Sequence, residues 1–481
     1  MSGFEKVIDT LNSVLWSTPL VVLCLLAGLW FTFRLKGVQF RLIGDMFKLL
    51  KPERKDEDGI SPFQAFATTV GSRVGMGNLA GVATAIFFGG PGAVFWMWVR
   101  ALIGAASSFV ESTLAQAYKI KNADGQFVGG PAYFIERALH AKPLAILFAV
   151  ATVLGPGILM PGLHLNSVAS TFNVAFGAKE LIVGLVFCAL LALVIMGGVK
   201  RIGSVAELIA PVMCVLYIIA AIVIICMNWR EVPHAFGLIF SSAFGANSVF
   251  GGIVGAAIAW GVKRGVYSSE AGQGSGAIVS AATDTSHPAK QGLVQALSVY
   301  IDTIVICTAS ALILLLTGVF NVQGADGNMI VENIPGVTYG ILWVQNALGS
   351  VFGEFGVKAL AIVITMFVFT SLMGYYYEAE SNVSYLFHGN KAAIWTGRVI
   401  FILSCFTGVL VNGEVVWSMG DIGVAIMAWI NIISIVLLTK KAAAILKDYD
   451  EQRKLGKNPV FHPTDFEIDD ETHVWDKYHE E

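Results

Sequence analysis

The chain has 481 residues, 56% of them hydrophobic and only 14% charged, with a formal net charge of −3. Soluble domains carry about 25% charged residues. The composition therefore excludes an ordinary soluble domain and points to many apolar helices in a membrane, and the charge balance gives no sign of a nucleic-acid partner. The 51 glycines suit closely packed membrane helices.

The N-terminal MSGFEKVIDTLNSV lacks a positive n-region and a small-residue cleavage site, so the first apolar run reads as a retained span. Eleven stretches approach the roughly 20 residues needed to cross a bilayer. They are Leu15–Leu35, Ser61–Phe88, Ala93–Tyr118, Leu144–Ser170, Leu181–Met196, Val205–Met227, Leu238–Trp260, Gly292–Leu316, Val357–Glu380, Trp395–Val411 and Ile422–Leu438. The second is the most informative. Its middle, Gly71-Ser72-Arg73-Val74-Gly75-Met76-Gly77-Asn78, cannot face lipid, and irregular backbone at that depth survives only inside protein or along a cavity.

Lys and Arg mark the cytoplasmic loops. With the N-terminus outside, the inner loop Arg34–Ile60 holds seven basic residues and the tail from Lys440 onward holds seven more, whereas Val319–Ser350 on the outside holds none. The segment after the third span, opened by Gly129-Gly130-Pro131, reads as a turn onto a short helix with Pro131 at its first position. The tail from Asp448, with Asp469-Asp470-Glu471 and His462, His473 and His479, reads as acidic and solvated. Cys24, Cys188, Cys214, Cys226, Cys307 and Cys405 all lie in apolar runs and read as buried small side chains.

The seventh stretch echoes the second, with glycines and small polar residues through Phe244-Gly245-Ala246-Asn247-Ser248-Val249-Phe250-Gly251-Gly252. Setting the first span aside, spans two to six and seven to eleven form two groups of five, each opening on a broken helix. An offset of five spans forces opposite orientations, the mark of an inverted repeat with a solute site between its broken helices. This divides the chain into 1–60, an extra helix and loop; 61–230 and 231–440, the two repeats; and 441–481, the tail.

A broken helix offers N–H groups to an anion at one half and C=O groups to a hard cation at the other. Gly71, Gly75 and Gly77, with Gly251, Gly252 and Gly255 opposite, let backbone approach a solute, or serve helix packing instead. Ser72 and Asn78 add polar side chains to the first break. Thr370 and Ser371, mid-span, either give two oxygens to a cation or bond back to their own helix. Arg73 needs an acidic partner that the sequence does not name. Asp302 either meets solute or pairs with Arg100; Glu378 and Glu380 close the ninth span, and Glu207 and Arg398 read as structural charges. Trp260 through Ser275 ends in Gly272-Gln273-Gly274-Ser275 without a following Lys or a flanking strand, which excludes a phosphate loop; it reads as a gate or hinge that includes Glu270.

Three stretches carry a resemblance: Gly89-Gly90-Pro91-Gly92-Ala93-Val94-Phe95-Trp96-Met97-Trp98-Val99, Ser72 through Ala83, and Gly261-Val262-Lys263-Arg264-Gly265 through Gly274 with His287-Pro288 and Gln291-Gly292. On these the chain resembles the alanine or glycine:cation symporter family over all but the acidic tail. The resemblance implies an all-α polytopic protein of eleven transmembrane helices, with a leucine-transporter-like 5+5 core after one extra N-terminal helix. It implies Na+-coupled uptake of alanine or glycine across a bacterial inner membrane, with no cofactor and no catalysis. Carried onto this chain, Gly71, Ser72, Gly75, Gly77, Asn78, Gly251 and Gly252 would bind substrate. Thr370 and Ser371, with the carbonyls of Gly71 and Val74, would bind Na+. Val266-Tyr267-Ser268-Ser269 and Gln273 depart mildly from the commoner family forms, which bears on the gate. The rival readings are a proton-coupled carrier of a related small zwitterion and a channel; no grouping of His, Asp or Ser at one face reads as a catalytic site.

Overall fold

A computed structural model describes residues 3–51, 59–122, 124–247, 249–410 and 413–478. It is mostly helical. The helices in chain order begin with α1 (Gly3–Leu15), α2 (Thr18–Arg34), α3 (Pro62–Arg73), α4 (Met76–Gly89) and α5 (Gly92–Ala117). A small hairpin, β1 (Ile120–Lys121) with β2 (Phe127–Val128), precedes α6 (Pro131–Leu139). Then follow α7 (Lys142–Leu154), α8 (Pro161–Phe176), α9 (Glu180–Ile195), α10 (Gly198–Met227), α11 (Val232–Ala243), α12 (Val254–Ser269), α13 (Ser275–Ala281) and α14 (Pro288–Val299). A π-helical segment, Tyr300–Cys307, links α14 to α15 (Thr308–Thr317). A second hairpin, β3 (Asn321–Gln323) with β4 (Met329–Glu332), leads to α16 (Ile341–Leu386), α17 (Lys391–Thr407), α18 (Gly413–Leu437) and α19 (Thr439–Lys454). Within α16 the chain leaves helical geometry at Gly353, at φ 61°.

Among the described residues, seven helices or joined helices are long and apolar enough to cross a membrane, and α9 and α11 are shorter apolar helices. The stretch Ser61–Phe88 forms two helices, α3 and α4. Ser61 starts the pair: its Oγ accepts from Gln64 N at 3.0 Å while Gln64 Oε1 accepts from Ser61 N at 3.1 Å, with Pro62 at the first helical position. Pro131 likewise opens α6, after Gly130 at φ 118°.

The expected seventh span, Leu238–Trp260, falls across α11, a turn and the start of α12. The second interrupted helix is α12–α13, and its break is residues 270–274. There Glu270, Gly272 and Gly274 take φ of 53°, 83° and 94°. Two of these three left-handed positions are glycine, the residue that adopts them without steric cost. The glycines near 250 looked alike in composition but sit in a 3-10 turn at the head of α12; Ser248, in the same stretch, lies outside the described residues.

Five of the six cysteines are buried, and Cys226 is exposed on an apolar helix. The tail also departs from the expectation of a solvated segment. Phe461, Val474 and Trp475 are 0–1% exposed. Phe461 N donates to Ser286 O at 2.9 Å, Lys477 Nζ pairs with Asp284 at 2.5 Å, and Arg137 donates to Asp469 O at 2.6 Å. The acidic composition hid an aromatic cluster: Trp475 meets Phe461 edge-on at 4.9 Å, and Phe461 stacks on Phe466 at 5.1 Å. His473 stays exposed beside Asp476, and His479 lies outside the described residues.

Under this tail sits Lys119, just past α5. Its Nζ lies 4.2 Å from the Phe127 ring centroid and 4.8 Å from that of Trp475, and donates to Thr283 O at 2.8 Å. Burial pushes its pKa down to about 7, against the opposing pull of Asp284. Between about pH 7 and the ordinary lysine value the released tail state binds more protons, so docking strengthens as pH rises, by up to about tenfold per unit, and is flat below about pH 7. Spin labels at Glu471 and Asn122 should report a released fraction that falls over this range, and Lys119→Met should flatten the dependence.

Candidate functional site

The two interruptions face one another inside the bundle, and buried side chains hold both. At the first, α3 ends on Arg73, Val74 leaves helical geometry with ψ 91°, and α4 begins at Met76. Asn78 caps the new helix: its Oδ1 accepts from Gly75 N at 2.9 Å, and its Nδ2 donates to Asp302 Oδ1 at 2.7 Å. Asp302 also accepts from Ser268 Oγ at 2.9 Å and Thr303 Oγ1 at 2.6 Å. Its position on the π-helical segment and these partners replace the pairing with Arg100 considered from sequence. Arg100 instead donates to Ala271 O in the second break.

That break has two further supports. Glu111 on α5 accepts from Gly272 N at 3.2 Å, and Asn431 on α18 bridges Glu111 at 2.7 Å and Gly272 O at 2.9 Å. Neither residue is among those the sequence pattern singles out. Glu111, a carboxylate inside an apolar span, carried the same signal that singled out Arg100. Asn431 carried none, since an isolated amide is common in membrane helices.

Arg73 links the breaks. It lies 4.0 Å from Glu270 Oε2 and donates to Gln295 O at 3.2 Å, to Ser108 Oγ at 3.2 Å and to Ser298 Oγ. The acidic partner missing from the sequence reading is thus Glu270. Ser72, one residue before, has its hydroxyl 3.2 Å from both Glu270 Oε1 and Glu378 Oε1, and Ser275 Oγ donates to Glu270 Oε2 at 2.8 Å. Glu380 pairs with Arg398 at 3.1 Å, and Glu207 accepts from Gln64 at 3.0 Å, away from the breaks.

The remaining contact is between α3 and α16. Ser371 Oγ donates to Gly71 O at 3.1 Å. Thr370 Oγ1 bonds back to Phe367 O at 2.9 Å and Met366 O at 3.1 Å. Both glycine notches here are tight: a Cβ on Gly71 would lie 2.8 Å from Thr370 Cβ, and one on Gly374 would lie 2.6 Å from Ser72 Cβ. A Cβ on Gly75 would overlap Ser371 Oγ, with His164 Nε2 3.9 Å away. Gly77 packs on Ser268. Val74 is buried at the break, its N–H on Val70 O at 2.7 Å.

The structure therefore brings together Gly71, Ser72, Val74, Gly75, Gly77, Asn78, Thr370 and Ser371. It does not bring Gly251 and Gly252 to them. Gly252 is exposed with open space where a Cβ would stand, and Gly251 meets only Gly245 O at 3.3 Å. Glu270 to Gly274 occupy the place facing the first break.

Contacts join the surrounding elements on both sides of the breaks. At one, Asp421 accepts from Arg264 at 2.6 Å and Lys263 at 2.7 Å, and Phe88 stacks on Trp260 at 4.4 Å. At the other, Ile60 bridges the chain after α13, with Ile60 N on Ala282 O at 3.0 Å and Asp284 N on Ile60 O at 3.1 Å.

Two discontinuous apolar helices with facing breaks, buried and joined to their surroundings on both sides, define a membrane transport protein rather than an enzyme. The fold agrees. The solved structure of MhsT in complex with L-phenylalanine superposes with a TM-score of 0.56 over 82% of this chain and 99% of that one, at 16% identity, which places this chain among proteins of the leucine-transporter fold. The family model described as the sodium:alanine symporter family matches residues 1–463, and the chain belongs to that family. A Bacillus subtilis protein named as a putative sodium/proton-dependent alanine carrier, YrbD, is 48% identical over 95% of this chain and 94% of its own length. Another from the same organism, named as a probable sodium/glutamine symporter, GlnT, is 42% identical over 95% of this chain and 93% of its own.

The packing separates two classes of glycine. Gly71→Ala should lower the thermal midpoint of the detergent-solubilised protein, at a cost of about 1–3 kcal/mol for overpacking. Gly252→Ala should change it by less than about 0.5 kcal/mol, as an open site allows. Equal midpoints for the two variants in a differential scanning fluorimetry series would contradict this placement of the breaks.

Proposed function

We propose that the protein takes up alanine, and glycine as a smaller alternative, together with Na+ by alternating access. The observation that carries the reading is the junction of Gly71 O with Ser371 Oγ, beside Thr370. A carbonyl and two hydroxyls converge where α3 stops, and such hard oxygens suit Na+ rather than a transition metal. The Val74 carbonyl, at the helix end, would complete the set. A cation here exchanges the bond between Ser371 and Gly71 for two ion contacts and ties α3 to α16.

Substrate would sit alongside. Its carboxylate suits the N-terminus of α4 at Met76 and Gly77, where first-turn N–H groups point outward. Its ammonium suits the C-terminal ends of α3 and α12, reinforced by Glu270 and Ser72. Gly75 leaves room for backbone approach, and the tight surroundings favour a small side chain. Because Na+ and substrate both stabilise the closed arrangement of the breaks, each raises the affinity of the other by the same factor.

The reading includes eleven spans in a bacterial inner membrane, with the N-terminus outside, the tail in the cytoplasm and two inverted groups of five helices. Interruptions at 74–75 and 270–274 then open the two groups. A second reading, proton coupling, has an observation of its own: Glu270 and Glu378 converge on the one hydroxyl of Ser72.

Radiolabelled alanine uptake into proteoliposomes tests the first reading. An inward Na+ gradient should drive accumulation, K+ replacement should abolish it, and Thr370→Ala/Ser371→Ala should lose the Na+ stimulation. Uptake that persists in K+ and collapses with a protonophore would transfer the coupling role to the proton. Competition by unlabelled glycine and glutamine ranks the substrates.

A further inference from the structure

The family match ends at residue 463, yet the chain continues as an ordered strap over the end of the bundle closed by Ile60. Its contacts concentrate on the segment that follows α13. Asp284 is held by Lys477 at 2.5 Å and by the hydroxyl of Tyr478. The residues just before the strap reach the same segment, where Ser286 Oγ donates to Pro459 O at 2.8 Å and Lys290 donates to Asn458 Oδ1 at 2.6 Å. The same strap grips the opposite wall, where Lys121 N donates to Thr472 Oγ1 at 3.1 Å, Arg137 holds Asp469 O, and Trp475 lies over Lys119.

This matters because residues 282–284 are the closure itself. Ala282 O and Asp284 N are the groups that Ile60 bridges, and a Cβ on Gly59 would lie 2.6 Å from Ala282 O. Opening at this end requires the start of α3 to part from the end of α13. Two main-chain bonds resist that, and the strap adds a charge pair and a hydrogen bond on Asp284, with its aromatic cluster alongside against Lys119. Through Asp284 the strap ties the chain just after α13 to the hairpin and α6, which resists an outward swing of α13 while the strap is docked.

We propose that residues 464–478 form an autoinhibitory latch that holds the Ile60–Thr283 closure shut and slows its opening. The effect on uptake rests on the transport reading above; the effect on the closure does not.

The test uses two variants and two readouts. Deletion of residues 464–481 should raise the initial uptake rate by about fivefold or more, the lower end of typical coupling between sites. In a Cys226→Ser background, which removes the exposed cysteine, maleimide labelling of Ala282→Cys behind the closure should quicken on the same deletion. In the full chain, Lys477→Cys with Asp284→Cys, joined by a short bis-methanethiosulfonate that forms a disulfide with each thiol and releases methanesulfinate, should slow both uptake and labelling, and reductant should restore them. Labelling that changes without any alanine uptake would keep the latch and remove the transport reading. Labelling unaffected by deletion and by cross-linking overturns the latch. If the truncated chain does not fold, the cross-linked full chain decides alone.

Discussion

The structure depends on one constraint: peptide groups released by a broken helix inside a membrane must find partners within the protein. The first break meets it with a side chain of its own helix, the second with side chains from elsewhere in the chain. Asn78 closes the first by accepting from Gly75 N, and is itself held by Asp302. The second takes Arg100 on Ala271 O, Glu111 on Gly272 N and Asn431 on Gly272 O. Buried charges that look costly in an apolar bundle are thus what makes irregular backbone tolerable there. Charges of both signs occur together, Arg73 and Arg100 among Glu111, Glu270, Asp302 and Glu378, which limits the uncompensated charge that burial would otherwise leave.

The same network couples the parts that have to move together. Arg73 ends α3 yet is bonded to α14 and α5 and lies against Glu270 in the second break. Ser72 extends this to Glu378 on α16. A change at either break is therefore felt at the other through two or three side chains, without any long pathway. The glycine notches at Gly71 and Gly374 keep α3 and α16 close enough for the Ser371 hydroxyl to span them.

Much of this was legible in the sequence. The polar interior of Ser61–Phe88 could mean only one thing in so apolar a chain, and the hydroxyl pair at Thr370 and Ser371 stood out at mid-span. The second break was harder. Glycines at 245, 251 and 252 matched the first break in composition, but composition does not report depth, and those residues lie at the exposed head of α12. The true interruption, Glu270 to Gly274, carries a charge and polar neighbours and so resembled a loop at the end of a span. The partner of Arg73 was unreadable for a simple reason: it lies 197 positions away, and its identity follows from how the two breaks face each other. The tail misled in the opposite way, because acidic residues outnumber the few aromatics that pin it.

The two closures differ in kind. Beside α18 the path is shut by one carboxylate, Asp421, shared between two cations, Lys263 and Arg264, and flanked by indole rings. Beside the tail it is shut by main-chain bonds at Ile60. The first is built from charged side chains, the second from peptide groups. Parting the first would leave buried charges to be hydrated or paired anew, whereas parting the second would free only two peptide groups.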